Sequence, residues 1–379
     1  MATGSLAIMG DGEAAAQPTL GDRFLVPPFS VLNARQGFWQ NRKRAWLRLG
    51  IQSEVGRGEN LLKMSDQILA AQAGDSPYDG KGGKKKRAPQ SGRLTFAAGA
   101  VRKDEVSKRI VAVGARKMVG AGLVMHGGYG PVSQEIEGRG GGTSIFDPVL
   151  CELAYRWFCP PGGHVLDPFA GGSVRGIVAA RLGRNYTGVE LRQEQVDANE
   201  AQRALATPGH ARWVQGDSRR IKKLAAGEYD MVWSCPPYAD LEKYSDDPRD
   251  LSNMGYEEFR EAYRKIIARS LALLRQDRFA AFVVGEVRAK KEKAGGYVGF
   301  VPDTIRAFED AGARFYNEAF LITAVGSLPL RVAKAFGASR KLGKTHQNLL
   351  VFVKGDPKKA AKACGGVQVG EVPRDWAAT

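Results

Sequence analysis

From about residue 143 onward, the sequence alternates short apolar runs with segments of helical periodicity. Seven runs have the length and composition of buried strands, at 164–169, 185–191, 211–217, 229–235, 278–287, 315–325 and 348–354. Helical patterns separate the first six runs, at 174–182, 193–204, 220–226, 256–274 and 302–311, and a loop is predicted between the last two runs. Because strands that alternate with helices form parallel sheets, we predict an α/β fold with a doubly wound, mostly parallel seven-stranded sheet and an antiparallel last strand.

The charge of the chain indicates a polyanionic partner. The net charge is +16, and residues 1–145 hold 21 Lys and Arg against 12 Asp and Glu. We predict an irregular, basic and partly disordered N-terminal region at 1–142, a main domain at 143–356 and a tail at 357–379. Glycine-rich stretches and the basic run KGGKKKRAP support the loop character of the first region. Nucleic acid is therefore the expected partner.

One N-terminal segment, ARQGFWQNRKRAWLRLGI at 34–51, mixes aromatic residues with four arginines and a lysine. Such a mixture suits DNA contact, in which the rings stack on bases and the cations pair with phosphates. It equally suits an amphipathic helix whose aromatic residues pack on the next domain. Both interpretations stay open from the sequence.

Several classes of protein are not expected. No apolar run approaches the roughly 20 residues that a membrane span needs, and the N-terminus lacks the order of a signal peptide, so we expect a cytoplasmic protein. The cysteines form no CxxC pair, so no structural zinc, other metal or disulfide is expected. They are Cys151, Cys159, Cys235 and Cys364.

Three of the predicted strands end in residues that suit a nucleoside. The first ends in DPFAGG, a glycine-rich turn that lets a ligand approach the backbone at a helix N-terminus. The second ends in Glu190, about twenty residues downstream, where a carboxylate can accept both hydroxyls of a ribose. The third ends in Asp217, which can accept from an adenine amino group. Each signal is weak alone, and together they predict a nucleoside site.

The fourth strand ends in SCPPY, at 234–238. Two consecutive prolines lack amide donors and hold the backbone extended, so the carbonyls of Cys235 and Pro236 can accept from an amino group. Tyr238 can stack on a planar ring. This motif is therefore suited to holding an aromatic amine in place.

Residues 143–355 resemble the S-adenosylmethionine-dependent DNA amino-methyltransferases, which modify adenine N6 or cytosine N4. The resemblance rests on TSIFDPVL, PPGGHVLDPFAGGS, RLGRNYTGVEL, GDS, SCPPY and HQNLLVFVKG, in that order. It implies a Rossmann-like class I methyltransferase fold and S-adenosyl-L-methionine as the cofactor. The whole chain also looks like DNA methylases of phages and prophages, which implies a bacterial or phage-infected cell, an association with the nucleoid and a possible link to restriction-modification.

The resemblance also assigns roles by position. The segment that closes over the cofactor falls on 147–149. The cofactor-binding residues it implies are Asp167, Pro168, Phe169, Gly171, Glu190, Asp217 and Ser234. The catalytic residues it implies are Cys235, Pro236, Pro237 and Tyr238. Two positions depart from the family pattern. Ser173 replaces the second glycine of the loop, and Cys235 replaces an Asp, Asn or Ser, although a thiol is a weak acceptor.

The function implied is that of a site-specific methyltransferase acting on double-stranded DNA. A flipped base would present its exocyclic amino nitrogen to the methyl group, with no covalent enzyme intermediate. Serine is the closest steric relative of cysteine and is commoner in cytosine N4 enzymes, so cytosine N4 is favoured over adenine N6. Whether the protein is a monomer or a homodimer stays open.

Three alternatives remain at this stage. Carbon-5 cytosine methylation would use Cys235 as the nucleophile. A catalytically inactive DNA-binding protein would keep only the methylase fold. RNA could replace DNA as the substrate. Target recognition would fall to the N-terminal region or to the loops at 239–258, 288–300 and 326–347, the last two of which are rich in lysine and arginine.

Overall fold

The computed structural model describes residues 20, 24–52, 145–238, 244–289, 295–325 and 328–371. Two predicted features, the basic run at 81–89 and the glycine-rich stretch at 120–142, lie outside the described residues. So do 239–243 and 290–294, which are parts of two predicted recognition loops.

Eight strands and nine α-helices are present in the described ranges. The strands are β1 Val31–Asn33, β2 His164–Asp167, β3 Asn185–Glu190, β4 Ala211–Gln215, β5 Tyr229–Ser234, β6 Leu274–Val284, β7 Arg314–Ile322 and β8 His346–Lys354. The helices are α1 Gly37–Leu47, α2 Pro148–Phe158, α3 Val174–Arg181, α4 Gln193–Ala201, α5 Ile221–Leu224, α6 Tyr256–Leu273, α7 Phe300–Asp310, α8 Leu328–Ser339 and α9 Pro357–Cys364. None of these helices is long and apolar enough to cross a membrane.

All eight strands form one sheet in the order β1-β7-β8-β6-β5-β2-β3-β4. Strand β8 is antiparallel to both of its neighbours, β6 and β7, and the other pairings are parallel. The predicted α/β fold, with a mostly parallel sheet and an antiparallel last strand, is confirmed. The sheet has one strand more than predicted, because β1 joins the edge beside β7.

Alternate side chains of the central strands enter two cores, one on each face of the sheet. Val165, Met231 and Trp233 belong to one core, whereas Leu166 and Val232 belong to the other. Since neighbouring residues of a strand point to opposite faces, this division shows that both faces are covered. The first core includes residues of α1, α2, α3 and α9, and the second includes residues of α6 and α7.

The described part of the N-terminal region belongs to the same compact unit as the sheet. Helix α1 buries Trp39 and Trp46, which are 1% and 2% exposed, in the first core. The amphipathic-helix interpretation is therefore the correct one for these rings, and they are not available to stack on bases. The boundary predicted at 142/143 does not hold for residues 24–52.

A buried ion pair connects α1 to α2. The Glu152 carboxylate accepts from Arg42 Nε at 2.8 Å, Arg42 Nη2 at 2.7 Å and Trp46 Nε1 at 2.7 Å. Arg42 is 2% exposed and Glu152 is fully buried. A bidentate pair with an added indole donor satisfies most of the polar atoms that burial removes from water. The basic pattern of α1 thus serves the fold at this position, not phosphate contact.

Two further expectations about the C-terminal third are corrected. Between β7 and β8 the structure has helix α8 where a loop was predicted. Its apolar residues are spaced for a helix, but the surrounding glycines and lysines obscure that spacing. The predicted tail begins with α9, whose Ala360 and Cys364 are buried in the first core. Asp356 caps α9 by accepting from the amides of Lys358 and Lys359.

We expect the Glu152→Ala substitution to lower the free energy of unfolding by about 3–5 kcal/mol, because Arg42 would stay buried without its carboxylate. Urea denaturation of the intact chain measures this change. Arg156 is the matched control: it also contacts Glu152, but its side chain is 42% exposed, so Arg156→Ala should cost about 0–1 kcal/mol. Similar losses for the two variants would contradict a structural role for the buried pair.

Candidate active site

The predicted site residues lie at one edge of the sheet. Strands β5, β2, β3 and β4 are consecutive neighbours and run parallel, so their carboxyl ends meet at the same edge. Asp167, Glu190 and Ser234 are the last residues of β2, β3 and β5, and Asp217 lies two residues after β4. The edge where open α/β sheets bind ligands therefore carries all four of these predicted residues.

The buried Asp167 carboxylate connects the elements that meet at this edge of the sheet. It is fully buried and accepts from Arg175 Nε at 2.6 Å, Tyr186 Oη at 2.8 Å and Ser234 Oγ at 2.5 Å. It also accepts from the Phe169 amide at 3.1 Å. One side chain thereby joins β2, β3, β5 and α3. Its contacts with the protein indicate that Asp167 holds the loop in place by its side chain.

Arg175 stiffens the glycine-rich turn. Besides its ion pair with Asp167, it donates to the carbonyls of Phe169 and Ala170 at 2.5 and 2.8 Å, and its guanidinium lies 4.7 Å from the centre of the Phe146 ring. Burial is the largest single influence and would lower the pKa of Arg175, but the electrostatic influence of Asp167, Tyr186 and Cys235, together with the hydrogen bond to Asp167, outweighs burial and raises it. The guanidinium stays charged and fixes two successive carbonyls of the turn.

Glu190 is oriented by two backbone amides. Its Oε2 accepts from Gly171 N at 2.9 Å and its Oε1 accepts from Arg192 N at 3.0 Å. Each carboxylate oxygen has a second lone pair, so both can also accept from a diol. Gly171 has a φ of +49°, which glycine adopts without strain. The turn and the acid are thus linked, as a ribose site beside a glycine loop requires.

Asp217 and Ser234 are already engaged with the protein. Asp217 accepts from the amide of Arg219 at 2.8 Å and pairs with the guanidinium of the same residue at 2.9 Å. Ser234 is fully buried and donates to Asp167. An adenine amino group could use a remaining lone pair of Asp217, whereas the Ser234 side chain supports Asp167.

The segment at 147–149 begins helix α2. Asp147 caps the helix by accepting from the amides of Val149 and Leu150, at 2.9 and 3.3 Å. Trp39 Nε1 also donates to Asp147 at 3.2 Å, and the Lys43 ammonium lies 3.7 Å from the same carboxylate. Helix α1 therefore fixes the start of the segment that the family resemblance assigns to the cofactor.

The position that departs from the glycine loop, Ser173, is fully buried and precedes α3. Its Oγ lies 3.3 Å from Gln202 Oε1, and its φ is −70°. Because the backbone is not left-handed here, this position does not need a glycine. The serine side chain contributes to packing near the end of α4.

Ser234, the first residue of the SCPPY motif, ends strand β5. Residues 235–238 have no regular secondary structure, as is expected of a segment with two consecutive prolines. Tyr238 is partly buried, and its ring packs edge-on against Phe300 with the ring centres 5.8 Å apart. Its Oη accepts from Gln347 Nε2 at 3.1 Å and lies 4.0 Å from Cys235 Sγ. Burial, followed by the influence of Cys235, raises the pKa of Tyr238 well above its ordinary value, so the phenol stays neutral.

Several residues of the site were not found from the sequence. Arg175 follows the glycine loop as an ordinary helical arginine, and Gln347 directly precedes the apolar run predicted at 348–354, so neither carries a local signal. Lys344 belongs to a basic loop that was expected to contact DNA phosphate; its side chain is partly buried, and its Nζ lies 3.4 Å from Asn348 Oδ1. Burial lowers the pKa of Lys344. Within the described ranges, no group of three His, Cys, Asp or Glu side chains could hold a metal ion.

The polar groups and the open turn at the carboxyl ends of these strands fit the nucleoside part of the expected cofactor. Glu190 offers an oriented carboxylate, the turn at Gly171 leaves the backbone open to close approach, and Asp217 offers an acceptor two residues beyond β4. Among the residues that the structure describes, only Arg175 Nη2 would lie within 4 Å of an alanine Cβ at Gly171, at 3.9 Å. The space beside the turn is therefore open.

Solved structures of methyltransferases resemble the chain weakly. TrmN from Thermus thermophilus is 16% identical, with 55% of this chain and 49% of that chain covered and a TM-score of 0.37. A methyltransferase from Pyrococcus furiosus is 16% identical, with 66% and 100% covered and a TM-score of 0.38. Magnesium protoporphyrin IX methyltransferase from Synechocystis, with bound SAM, is 15% identical, with 57% and 87% covered and a TM-score of 0.35. Superpositions of this quality carry no argument about activity.

A sequence model of the N6_N4_Mtase family, described as DNA methylase, matches residues 149–202. This range runs from the start of α2 to just after α4 and includes Asp167, Gly171 and Glu190. The resemblance to amino-methyltransferases is thereby confirmed over the part of the chain that carries Asp167, Gly171 and Glu190, whereas Asp217 and Ser234 lie outside the matched range. Residues 149–202 carry the sequence pattern of DNA methylases. In the structure, this range is part of the α/β fold whose strand order and strand directions are described above.

Proposed function

We propose that this protein transfers a methyl group from S-adenosyl-L-methionine to an exocyclic amino nitrogen of a flipped base in double-stranded DNA. The observation that carries the proposal is that the predicted cofactor site and the predicted base site follow neighbouring strands at the same edge of the sheet. The nucleoside-like site at Glu190 and Gly171 lies at the ends of β3 and β2, and the Cys-Pro-Pro-Tyr motif follows β5, the next strand. A donor and an acceptor of a methyl group need this proximity.

Within the proposed site, Glu190 would bind the ribose, the turn at 168–171 would lie along the methionine part, and Asp217 would contact the adenine. Asp167, Arg175 and Ser234 would hold these groups from beneath through their own hydrogen bonds. The family match, which includes the turn and Glu190, supports this cofactor. When bound, S-adenosylmethionine supplies an electrophilic methyl group.

The target base would be held by the motif after β5. The carbonyls of Cys235 and Pro236 would accept from the amino group and draw its lone pair out of conjugation, while Tyr238 stacks on the ring. Pro236 and Pro237 lack amide hydrogens that could compete for the same position. The amino nitrogen would gain the methyl group and lose one proton to water, while the bound cofactor would supply the methyl carbon and keep the electron pair of its carbon–sulfur bond as a neutral thioether. Positioning of the amine would supply most of the rate enhancement.

Cytosine N4 is favoured over adenine N6 as the target. Cys235 stands where the family has Asp, Asn or Ser, and it is sterically closest to serine. The net charge of +16 and the nine lysines and arginines in the loops at 288–300 and 326–347 support DNA as the polyanion. Expression in a methylation-free host, followed by single-molecule sequencing, would report the modified base, its position and its sequence context.

The Glu190→Gln substitution should weaken S-adenosylmethionine binding by roughly 10- to 100-fold, because hydrogen bonds to a charged group contribute about 1.5–3 kcal/mol. Isothermal titration measures this affinity. Glu194 is the matched control, since its side chain is 75% exposed and lies 3.9 Å from the Arg192 guanidinium. The Glu194→Gln variant should therefore bind S-adenosylmethionine with normal affinity. Equal affinities for the two variants would remove Glu190 from the cofactor site.

The same titration has an expected pH dependence. Burial raises the pKa of Glu190, against the opposing hydrogen bonds from the amides of Arg192 and Gly171. The ribose hydroxyls bind the ionised carboxylate, so affinity should fall as the pH drops through this raised pKa, at a higher pH than for an exposed glutamate. The Glu190→Gln variant should lose that dependence.

The Cys235→Ser substitution should retain or increase the rate of methyl transfer, because a hydroxyl is a better acceptor than a thiol. The sequencing assay, applied to both proteins in the same host, compares their modified bases. Loss of all methylation in Cys235→Ser, with a trapped adduct between the wild-type protein and a mechanism-based cytosine analogue, would instead establish carbon-5 chemistry. An inactive binding protein would leave the host DNA unmodified with either form.

The Lys341→Ala substitution should weaken DNA binding irrespective of sequence and reduce the slope of log K against log[salt] by about 0.9, the value expected for one phosphate contact. Fluorescence anisotropy at several salt concentrations measures this slope. Lys359→Ala is the control, because Lys359 is an exposed residue of α9, which follows the opposite end of β8. An unchanged slope for Lys341→Ala would place phosphate contact elsewhere.

A further inference from the structure

The antiparallel direction of β8 brings its first residues to the active-site edge. In the parallel strands, the carboxyl end reaches this edge, but β8 runs the opposite way, and Asn348 is paired with Val284 near the end of β6. Residues 344–348 therefore lie beside Gly285, which directly follows β6. The start of a strand, which usually lies remote from the ligands of an open sheet, here faces the catalytic motif.

Three side-chain groups surround the same small space at this position. A Cβ added to Gly285 would lie 3.6 Å from Tyr238 Cε1, 3.8 Å from Tyr238 Oη and 3.8 Å from Lys344 Nζ. Gln347 Nε2 donates to the same phenol oxygen at 3.1 Å. The beginning of β8 and the segment just before it thus contribute two long polar side chains, Gln347 and Lys344, to the surroundings of Tyr238.

Of these two side chains, Gln347 makes the direct contact with the phenol. Lys344 Nζ donates to Asn348 Oδ1, and Asn348 Nδ2 donates in turn to Glu318 Oε1 at 2.7 Å. This chain of hydrogen bonds ties Lys344 to β7 and β8. The hydrogen bond from Gln347 to the Tyr238 phenol has an ordinary length of 3.1 Å, whereas the contact of the phenol with Cys235 Sγ is 4.0 Å long.

We propose that Gln347 is a positioning residue for methyl transfer, which holds the Tyr238 ring in one orientation for stacking on the flipped base. The proposal rests on the proposed function. Phe300 supports the ring from its edge, and Phe300 is itself held because Glu286 accepts from the amides of Gly299 and Phe300 at 2.9 Å. The edge contact with Phe300 limits the tilt of the ring plane, and the hydrogen bond from the Gln347 amide to Oη fixes where the phenol end of the ring lies.

The nature of Cys235 makes this contact more important. A thiol is a weak hydrogen-bond partner, so the long contact with Cys235 orients the phenol poorly. The Gln347 amide is a strong donor at ordinary distance. In a motif that begins with cysteine, a neighbouring strand thus supplies the orienting hydrogen bond for the tyrosine.

A double-mutant cycle with Gln347→Leu and Tyr238→Phe tests the proposal. Initial rates of tritium transfer from labelled S-adenosylmethionine to genomic DNA of a methylation-free host give kcat and KM. Gln347→Leu should lower kcat on the order of three- to tenfold, the effect of losing one partly buried hydrogen bond, with little change in KM for DNA. In the Tyr238→Phe background, which has no phenol oxygen, the same substitution should have almost no further effect.

Gln276 on β6 provides the matched control, because it is an exposed glutamine distant in sequence from the motif. Gln276→Leu should leave the kinetic constants unchanged, and all variants should show the thermal stability of the wild-type protein within a few degrees. Equal losses from Gln347→Leu in the two backgrounds would overturn the proposal, as would an unchanged kcat.

A second measurement does not depend on activity. In protein labelled with 3-fluorotyrosine, the resonance of Tyr238 is identified by its loss in Tyr238→Phe, and Gln347→Leu should shift or broaden that resonance whereas Gln276→Leu should not. An unmoved resonance overturns the positioning role. Wild-type protein that methylates no DNA contradicts the proposed function instead, and a shifted resonance in that case shows the contact between Gln347 and Tyr238 alone.

Discussion

The buried carboxylate of Asp167 is the interaction on which the rest of the site depends. A charged group without water must be paired and fully hydrogen-bonded, and Asp167 meets this requirement with donors from a helix, two strands and its own turn. The donors belong to the same elements that carry the glycine turn, Glu190 and the SCPPY motif. Satisfying one buried charge therefore fixes the relative positions of the parts that would bind cofactor and base.

Arg175 extends this effect to the backbone. Its guanidinium neutralises Asp167 and also binds the carbonyls of Phe169 and Ala170, so the turn has little freedom. Preorganisation of this kind matters for methyl transfer, because small displacements of the reacting groups reduce the rate strongly. The strand ends could supply the same residue types without this network, but they would not hold them in one arrangement.

The strand ends and their acids were predictable because they follow local rules. Alternation of strand and helix placed Glu190, Asp217 and SCPPY at one sheet edge, and the structure has them there. The burial of Arg42 was not predictable, since its partner Glu152 lies 110 residues away in sequence and an arginine in the basic run RKR looks exposed. Helix α8 was missed because the glycines and cations within and around it resemble those of a loop. Gln347 was missed because only the register of an antiparallel pair reveals its position.

That register has a consequence for how the family motif can vary. Position 235 follows β5, whereas Gln347 belongs to β8, and β6 lies between these two strands in the sheet. A substitution to cysteine weakens the hydrogen bonding available within the motif, but it leaves the amide of Gln347 unaffected. The orientation of Tyr238 therefore does not depend on how well the side chain at position 235 accepts a hydrogen bond. Because the two tasks are carried by different strands, a weak acceptor at position 235 need not release the tyrosine.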